Sequence, residues 1–596
     1  MGILSNLRLA PGLFTESTDR GADNRWRDGN LVRWLNGLPE TVGGWKSKTI
    51  NGADFRGIAR SVIDWATLDG IKLAAIGTNQ RLYLLTANNY YNITPLRDSG
   101  TLTNPISTTS GSPLVTINHA SHSVFAGNFV FFRNATAVGG ITLNGEYEVV
   151  SVTDLDNYVV SATTNASATA TGGGSVAYEY EISIGGSASG LAFGWGTCGY
   201  GGPGRGWGTP CAASTMIIPL RVWSLDTWGE DLIASPSGGA VYWWDRSKGF
   251  SNRAELIEGA PRRNLSVMVS PENRQLICLG TTDDLGALDS LFIKWSDNED
   301  FTQFQIEAEN NAGSQRIDAA ASELIAGIRT RSGILLWTDQ SLHLMQPTGD
   351  SLVYEFRQLG AGVSLAGPNA VLDAQGVVFA MAVDNFYVYD GVLRVMPCEV
   401  WTRVFRNFNV EQRRMVFAAR NNAFSEIWWF YPSSESNTND KVVVYNYRDN
   451  NWWYGDLQRS AFHDFSPLYN KPYGFDDAGE LYTHEDGESA DGAAIERYLI
   501  SDDIEVGEGQ EILHINKLIP DFKELVGGAA VTLKGRLHPA APVKTKGPHP
   551  VTASTRKVST RMRARQISLT ITMDELDGRF RMGDWRAEAE TDGERI

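Results

Sequence analysis

The chain reads as an all-β protein, a six- or seven-bladed β-propeller carrying an inserted small β domain and a β platform built from its two terminal segments. Three observations lead there. Paired short apolar strands recur seven times in windows of about fifty residues, the spacing of propeller blades. One interval between copies is about three times too long for a blade, which marks an insertion. Helical periodicity is confined to short stretches such as Asn409 to Phe417, while 18 Trp and 61 Gly against 22 Pro suit strands joined by tight turns.

The repeats, in order, pair Ile71 to Thr78 with Arg81 to Leu85, Asp231 to Ser235 with Ala240 to Asp245, and Arg274 to Gly280 with Leu291 to Asp297. Gly333 to Asp339 then pairs with Ser341 to Met345, Val377 to Asp384 with Asn385 to Asp390, and Ser425 to Tyr431 with Lys441 to Asp449. The last pair, Lys471 to Asp476 with Glu480 to His484, is short and is expected either to stand as a seventh blade or to complete the first. Between Arg81 and Ala240 lies a Ser/Thr/Ala/Gly-rich insert with alternating strands at Pro113 to Ile117, Phe125 to Phe132, Glu146 to Val152 and Tyr158 to Ala162. Its Gly139-Gly140 and Asn144-Gly145 pairs are hairpin chemistry, because both suit positive φ. The expected organisation is a platform segment over 1–50, a first blade over 51–98, the insert over 99–184, a Gly/Trp-rich loop over 185–212, the remaining blades over 213–495 and a C-terminal platform over 496–596.

The search for chemistry returns mostly exclusions. Cys198, Cys211, Cys278 and Cys398 form no CxxC pair and predict neither a zinc site nor a disulfide framework. The eight histidines have no HExxH-type spacing, no GxSxG elbow occurs, and the acidic clusters lack calcium-loop spacing, so no catalytic residue, metal or cofactor is expected. No apolar run reaches membrane-spanning length, Met1 to Leu13 lacks a signal-type core, and Asn6 breaks a myristoylation motif, which predicts synthesis in a cytoplasm. The glycine-dense stretch from Gly190 to Gly208 has no GK[ST] ending, so it reads as a long loop studded with Phe193, Trp195, Tyr200, Arg205 and Trp207, a candidate channel gate. The pairs Trp243-Trp244, Trp428-Trp429 and Trp452-Trp453 read as packing between blades, because adjacent strand residues point to opposite faces.

Charge is unevenly placed. The net is −17, yet no acid lies between Glu524 and Asp574, where Lys534, Arg536, Lys544, Lys546, Arg556, Lys557, Arg561, Arg563 and Arg565 cluster. That run suits docking on an acidic protein neighbour, while the acidity elsewhere disfavours holding DNA phosphates.

The stretch Asn24 to Lys46, NRWRDGNLVRWLNGLPETVGGWK, carries Trp26, Arg27, Asp28, Gly29, Val32, Arg33, Trp34, Gly37, Leu38, Pro39, Glu40, Gly43, Gly44 and Trp45 in an order that resembles the tail nozzle or tail tubular proteins of short-tailed bacteriophages, akin to packaged-DNA-stabilisation proteins. Gly229 to Asp245, the Gly/Trp-rich loop before Leu220, and Gly578 to Glu588 are similar to the same family, and Gly139 to Val150 to small β modules of phage virion proteins. The resemblance implies a non-catalytic virion tail protein that forms a ring, commonly of six copies, below the portal and adaptor. Such a ring surrounds the DNA exit channel and retains packaged DNA until ejection, with tail fibres or a needle as further neighbours. Trp26, Arg27, Asp28, Arg33 and Trp45 join the basic run as expected assembly residues. The rival expectation is a glycan- or receptor-binding propeller module, with a polysaccharide-degrading propeller enzyme behind it.

Overall fold

The computed structural model describes residues 3–16, 24–189, 220–318, 320–350, 352–505, 511–538 and 540–594. Helix among them is limited to short turns, including Trp401–Phe405 and the 3₁₀ segment Val410–Met415. Strands dominate, and seven blade sheets built on antiparallel meanders recur among the described residues. The protein is an all-β, propeller-type structure, divided into two compact units: Ile50–Gln315, and Met1–Thr49 with Arg316–Ile596.

In the first unit, blade 1 runs Ala59–Ala66, Lys72–Thr78, Leu82–Thr86 and Asn89–Asn92, with Asn51–Gly52 added in parallel at its edge. Blade 2 runs Trp223–Trp228, Asp231–Pro236, Tyr242–Trp244 and Glu255–Leu256, and blade 3 runs Asn264–Val269, Leu276–Thr281, Phe292–Trp295 and Gly313–Arg316. Between blades 1 and 2 an eight-stranded sheet spans Leu96–Thr103 to Ser175–Glu181 and encloses its own apolar core around Val115, Ile117, Val130, Phe132, Val149, Tyr158 and Val160. Gly139 and Gly140 make the expected hairpin turn, at φ 55° and 80° between the bridged Val138 and Ile141. Asn144 does not take positive φ. Its side chain instead accepts from the Ala135 amide at 2.9 Å, and Gly145 alone supplies the unusual φ of 124°.

In the second unit, blades 4, 5 and 6 are four-stranded meanders that begin at Leu324–Thr330, Val371–Ala374 and Phe417–Asn421. Blade 7 has only three local strands, Ala461–Ser466, Lys471–Phe475 and Leu481–His484. Its fourth is Trp45–Ser47, in register Tyr482↔Ser47 to His484↔Trp45. The short last repeat is therefore a blade completed by the N-terminal segment. This spares its outer edge from standing unpaired.

Both termini also interleave in three further sheets: Ile3–Leu7 beside Trp585–Glu594, Trp26–Asn30 beside Arg497–Ser501, and the hairpin Val32–Leu35/Leu38–Thr41 beside Arg579–Met582. One continuous apolar core joins these platform sheets to blades 4–7. Because a blade meets neighbours on both faces, its central strands carry no polar alternation, and Glu426–Tyr431 is buried at every position.

Candidate functional site

The N-terminal motif contributes strands to three sheets of the second unit. Asn36 and Gly37, at φ 52° and 78°, form the two-residue turn between Val32–Leu35 and Leu38–Thr41, the geometry favoured by right-twisted hairpins. The turn is confined to Asn36 and Gly37, and Leu38–Thr41 is already strand. Gly43 and Gly44 answer a different need. A Cβ on Gly44 would lie 2.3 Å from the Ser489 carbonyl oxygen, so only glycine lets the chain pass there, while one on Gly43 would lie 2.4 Å from Glu485 Oε2 and displace that carboxylate.

Arg33 is 1% exposed and enters a cage of acids and rings. Its Nη2 lies 2.5 Å from Glu485 Oε1 and its Nε lies 3.5 Å from Glu426 Oε1. The guanidinium sits 3.7 Å above the Phe424 ring. Glu426 is fully buried and accepts from the indole N–H groups of Trp428 and Trp453, both at 3.0 Å. Burial pushes its carboxyl up to about 7, against the pull of Arg33. Glu485 adopts φ 53°, a sparsely populated region for a side chain of its size, and also accepts from Asn421 Nδ2 at 3.2 Å. This cluster ties the N-terminal hairpin to blade 6 and to the end of blade 7.

Two more buried cations extend the clamp. Arg497, 0% exposed, donates to the carbonyls of Gly578, Val42 and Glu488 at 2.9, 2.8 and 3.1 Å, linking both termini, and burial lowers its pKa to about 10. Arg459 donates through Nε to His484 Nε2 at 2.8 Å and lies 5.2 Å from the Trp45 ring. Burial holds His484 well below its usual range, so it serves as a neutral acceptor.

The other expected assembly residues divide by exposure. Trp26 is buried in the platform core, Asp28 accepts from the Tyr454 hydroxyl at 2.7 Å, and Arg27 is half-buried. Within the basic run, Arg536 pairs with Asp503, and Arg563 pairs with Asp592 at 2.7 Å. Lys534 and Arg565 are half-buried. Lys544, Lys546, Arg556, Lys557 and Arg561 are exposed and form no ion pair among the described residues. They lie on Lys544–Val551, which is an edge strand, on Val558–Ala564, which packs against it, and on the loop between the two. Lys544, Lys546, Pro548 and Pro550 leave that edge poorly suited to recruiting a further strand, so the surface is suited to side-chain docking. Phe193, Trp195, Tyr200, Arg205 and Trp207 of the candidate gate loop lie outside the described residues.

Of the paired tryptophans, all but the half-buried Trp243 fill the interior. Trp428, Trp429, Trp452 and Trp453 are at most 1% exposed, and Trp429 and Trp452 donate to the carbonyls of Ala370 and Pro397. Among the described residues, no group of three His, Cys, Asp or Glu side chains is arranged to hold a metal ion, and no helix is long and apolar enough to cross a membrane. In the other unit, Arg81 binds Glu181 at 2.9 Å and also Glu146, while Arg253 reaches Glu181 at 2.8 Å, fastening the inserted sheet to blades 1 and 2. Sequence reading passed over Glu426, Arg459 and Arg497. The available signal was a lone charge inside an apolar strand, as in Glu426 before Ile427 to Tyr431.

No family model matches the chain, and no curated protein matches it either. Among solved structures it is similar to the endosialidase of phage phi92, at 10% identity and a TM-score of 0.18 over 72% of this chain and 64% of that one. It is also similar to the Pan2 WD40 domain of Neurospora crassa, at 9% identity and a TM-score of 0.29 over 65% and 90%. A third is apo AztD from Citrobacter koseri, at 8% identity and a TM-score of 0.28 over 72% and 94%. The chain spans less than two thirds of the endosialidase.

Proposed function

We propose that this protein is a structural subunit of a short-tailed phage tail, a nozzle-type component that assembles in a ring around the DNA exit channel. The observation that carries the reading is the segment Asn24 to Lys46. Its sequence resembles the nozzle family, and its residues supply strands to two platform sheets and to blade 7. It also places Arg33 in the buried clamp with Glu426 and Glu485. A part that must withstand the pressure of packaged DNA gains from a scaffold whose termini are locked into its core. The exposed cations Lys544, Lys546, Arg556, Lys557 and Arg561 are the docking surface for an acidic neighbour, either the adaptor-side ring or another copy. With a net charge of −17, the rest of the chain offers DNA little phosphate affinity, so the genome passes without sequence-specific contact.

Mass measurement and negative-stain imaging of the full chain, alone and mixed with its adaptor ring, test this. A ring with an axial channel is expected. A monomer that ignores the adaptor would overturn the nozzle reading. Reversing Lys544, Lys546, Arg556, Lys557 and Arg561 to Glu should prevent assembly with an unchanged melting temperature. Normal rings from that variant would remove the docking surface while leaving the nozzle reading standing.

A further inference from the structure

A cleft of about 750 Å³ opens within the Ile50–Gln315 unit and takes no part in the reading above. Its walls come from equivalent turns of three successive blades. Leu68 and Asp69 follow the first strand of blade 1, Gly229 and Glu230 the first strand of blade 2, and Arg274 the first strand of blade 3. Asp245, Arg246 and Phe301 come from the turns after the third strands of blades 2 and 3. The volume falls in the ~300–1,000 Å³ range of small-molecule sites.

The lining combines three chemistries. The half-buried Phe301 lines the cleft and packs edge to face on the buried Trp228, with ring centroids 5.1 Å apart. Arg274 is exposed, lies 4.9 Å from the Trp228 ring and forms no ion pair among the described residues. Its backbone is held at φ 49°, with its carbonyl accepting from the Glu299 amide at 3.1 Å, so the turn presents the guanidinium at a strained position. Arg246 shares Asp69 at 3.3 Å. Asp231 and Asp245 each commit one carboxylate oxygen to a backbone amide, of Arg246 at 2.9 Å and of Ser247 at 2.8 Å, and the other oxygen has no partner among the described residues.

We propose that this cleft binds a neutral, hydroxyl-rich oligosaccharide. Carboxylates accept from sugar hydroxyls, guanidiniums donate to hydroxyl and ring oxygens, and the apolar C–H face of a pyranose packs on the accessible part of the Phe301 ring. The charge balance selects among ligand classes. Asp69, Glu230, Asp231 and Asp245 outnumber Arg246 and Arg274, so the cleft repels nucleic acid and polyanionic glycans, and these six charged groups would be desolvated without compensation by a purely apolar ligand. The probe is a printed array of neutral and of carboxylated or sulfated oligosaccharides, followed by calorimetry of the full chain with the strongest neutral binder. Binding of a neutral oligosaccharide is expected, weakened at least tenfold by Arg274→Ala and by Asp231→Asn with melting temperatures unchanged. Retention only of acidic glycans, an empty array, or neutral binding that survives both substitutions would each overturn the assignment. None of these results bears on ring formation, which is read separately.

Discussion

Replacing Arg33 with Met keeps most of the volume of the side chain and removes its charge from a site that is 1% exposed. Glu426 would then lie fully buried with two indole N–H donors and no cation, and Glu485 would lose its 2.5 Å partner. Breaking a buried pair by removing one member costs about 3–5 kcal/mol, since the remaining charge is left uncompensated. The loss should be largest at pH 8, where Glu426 of the wild type is mostly ionised, and smaller at pH 6, where it already holds a proton. Adding Glu426→Gln to Arg33→Met should recover most of the loss, because the amide needs no counter-charge. The assay is the urea midpoint followed by tryptophan fluorescence, with Trp428 and Trp453 as reporters beside the site. A single variant within about 0.5 kcal/mol of wild type, or a double variant no better than the single, would refute the clamp; such small shifts are the range of ordinary surface changes.

Glu426→Gln by itself isolates a pH effect. The folded pKa of about 7 lies above the ordinary glutamate value of 4.5, so across that window the folded state holds a proton that the unfolded chain has released. Wild-type stability should therefore fall relative to the variant as pH rises from about 4.5 to 7, by about 3 kcal/mol at 1.36 kcal/mol per unit; parallel pH profiles would contradict this. His484 acts with the opposite sign. Its folded pKa is depressed, so its contribution is present above about 6.5 and is lost as pH falls. His484→Gln should flatten the acid limb of the melting profile, and an unchanged slope would rule that out. Gly44→Ala forces a Cβ to 2.3 Å from the Ser489 carbonyl oxygen and should cost about 1–3 kcal/mol, read as a lowered melting temperature; a neutral result would show that the loop yields.

Much of the architecture was legible because blades repeat. Each is a local meander whose turns fall between strands adjacent in sequence, so Lys441 to Asp449 or Gly333 to Asp339 announces itself without knowledge of the rest. Long-range pairing was not legible. The stem of the inserted domain, Leu96–Thr103 against Ser175–Glu181, closes across more than seventy residues of chain, and its strands carry few of the apolar signals that mark the blades. The basic run illustrates a further limit. Nine cations looked equivalent in sequence, but Asp503 and Asp592, distant along the chain, neutralise Arg536 and Arg563, and Lys534 and Arg565 are half-buried, so five exposed cations without ion pairs among the described residues remain.

By itself the sequence determined the all-β class, the repeat that sets the blades and the place of the insertion, because strand periodicity and turn chemistry act over a few residues. It also marked Asn24 to Lys46 as a distinctive segment. Only the tertiary structure decided that Trp45 closes blade 7, that Gly44 is required by backbone approach, and that Arg33 meets Glu426 and Glu485 from nearly four hundred residues away or more. Those outcomes depend on which surfaces exclude water together, and burial is a property of the folded assembly of strands that no local window of residues contains.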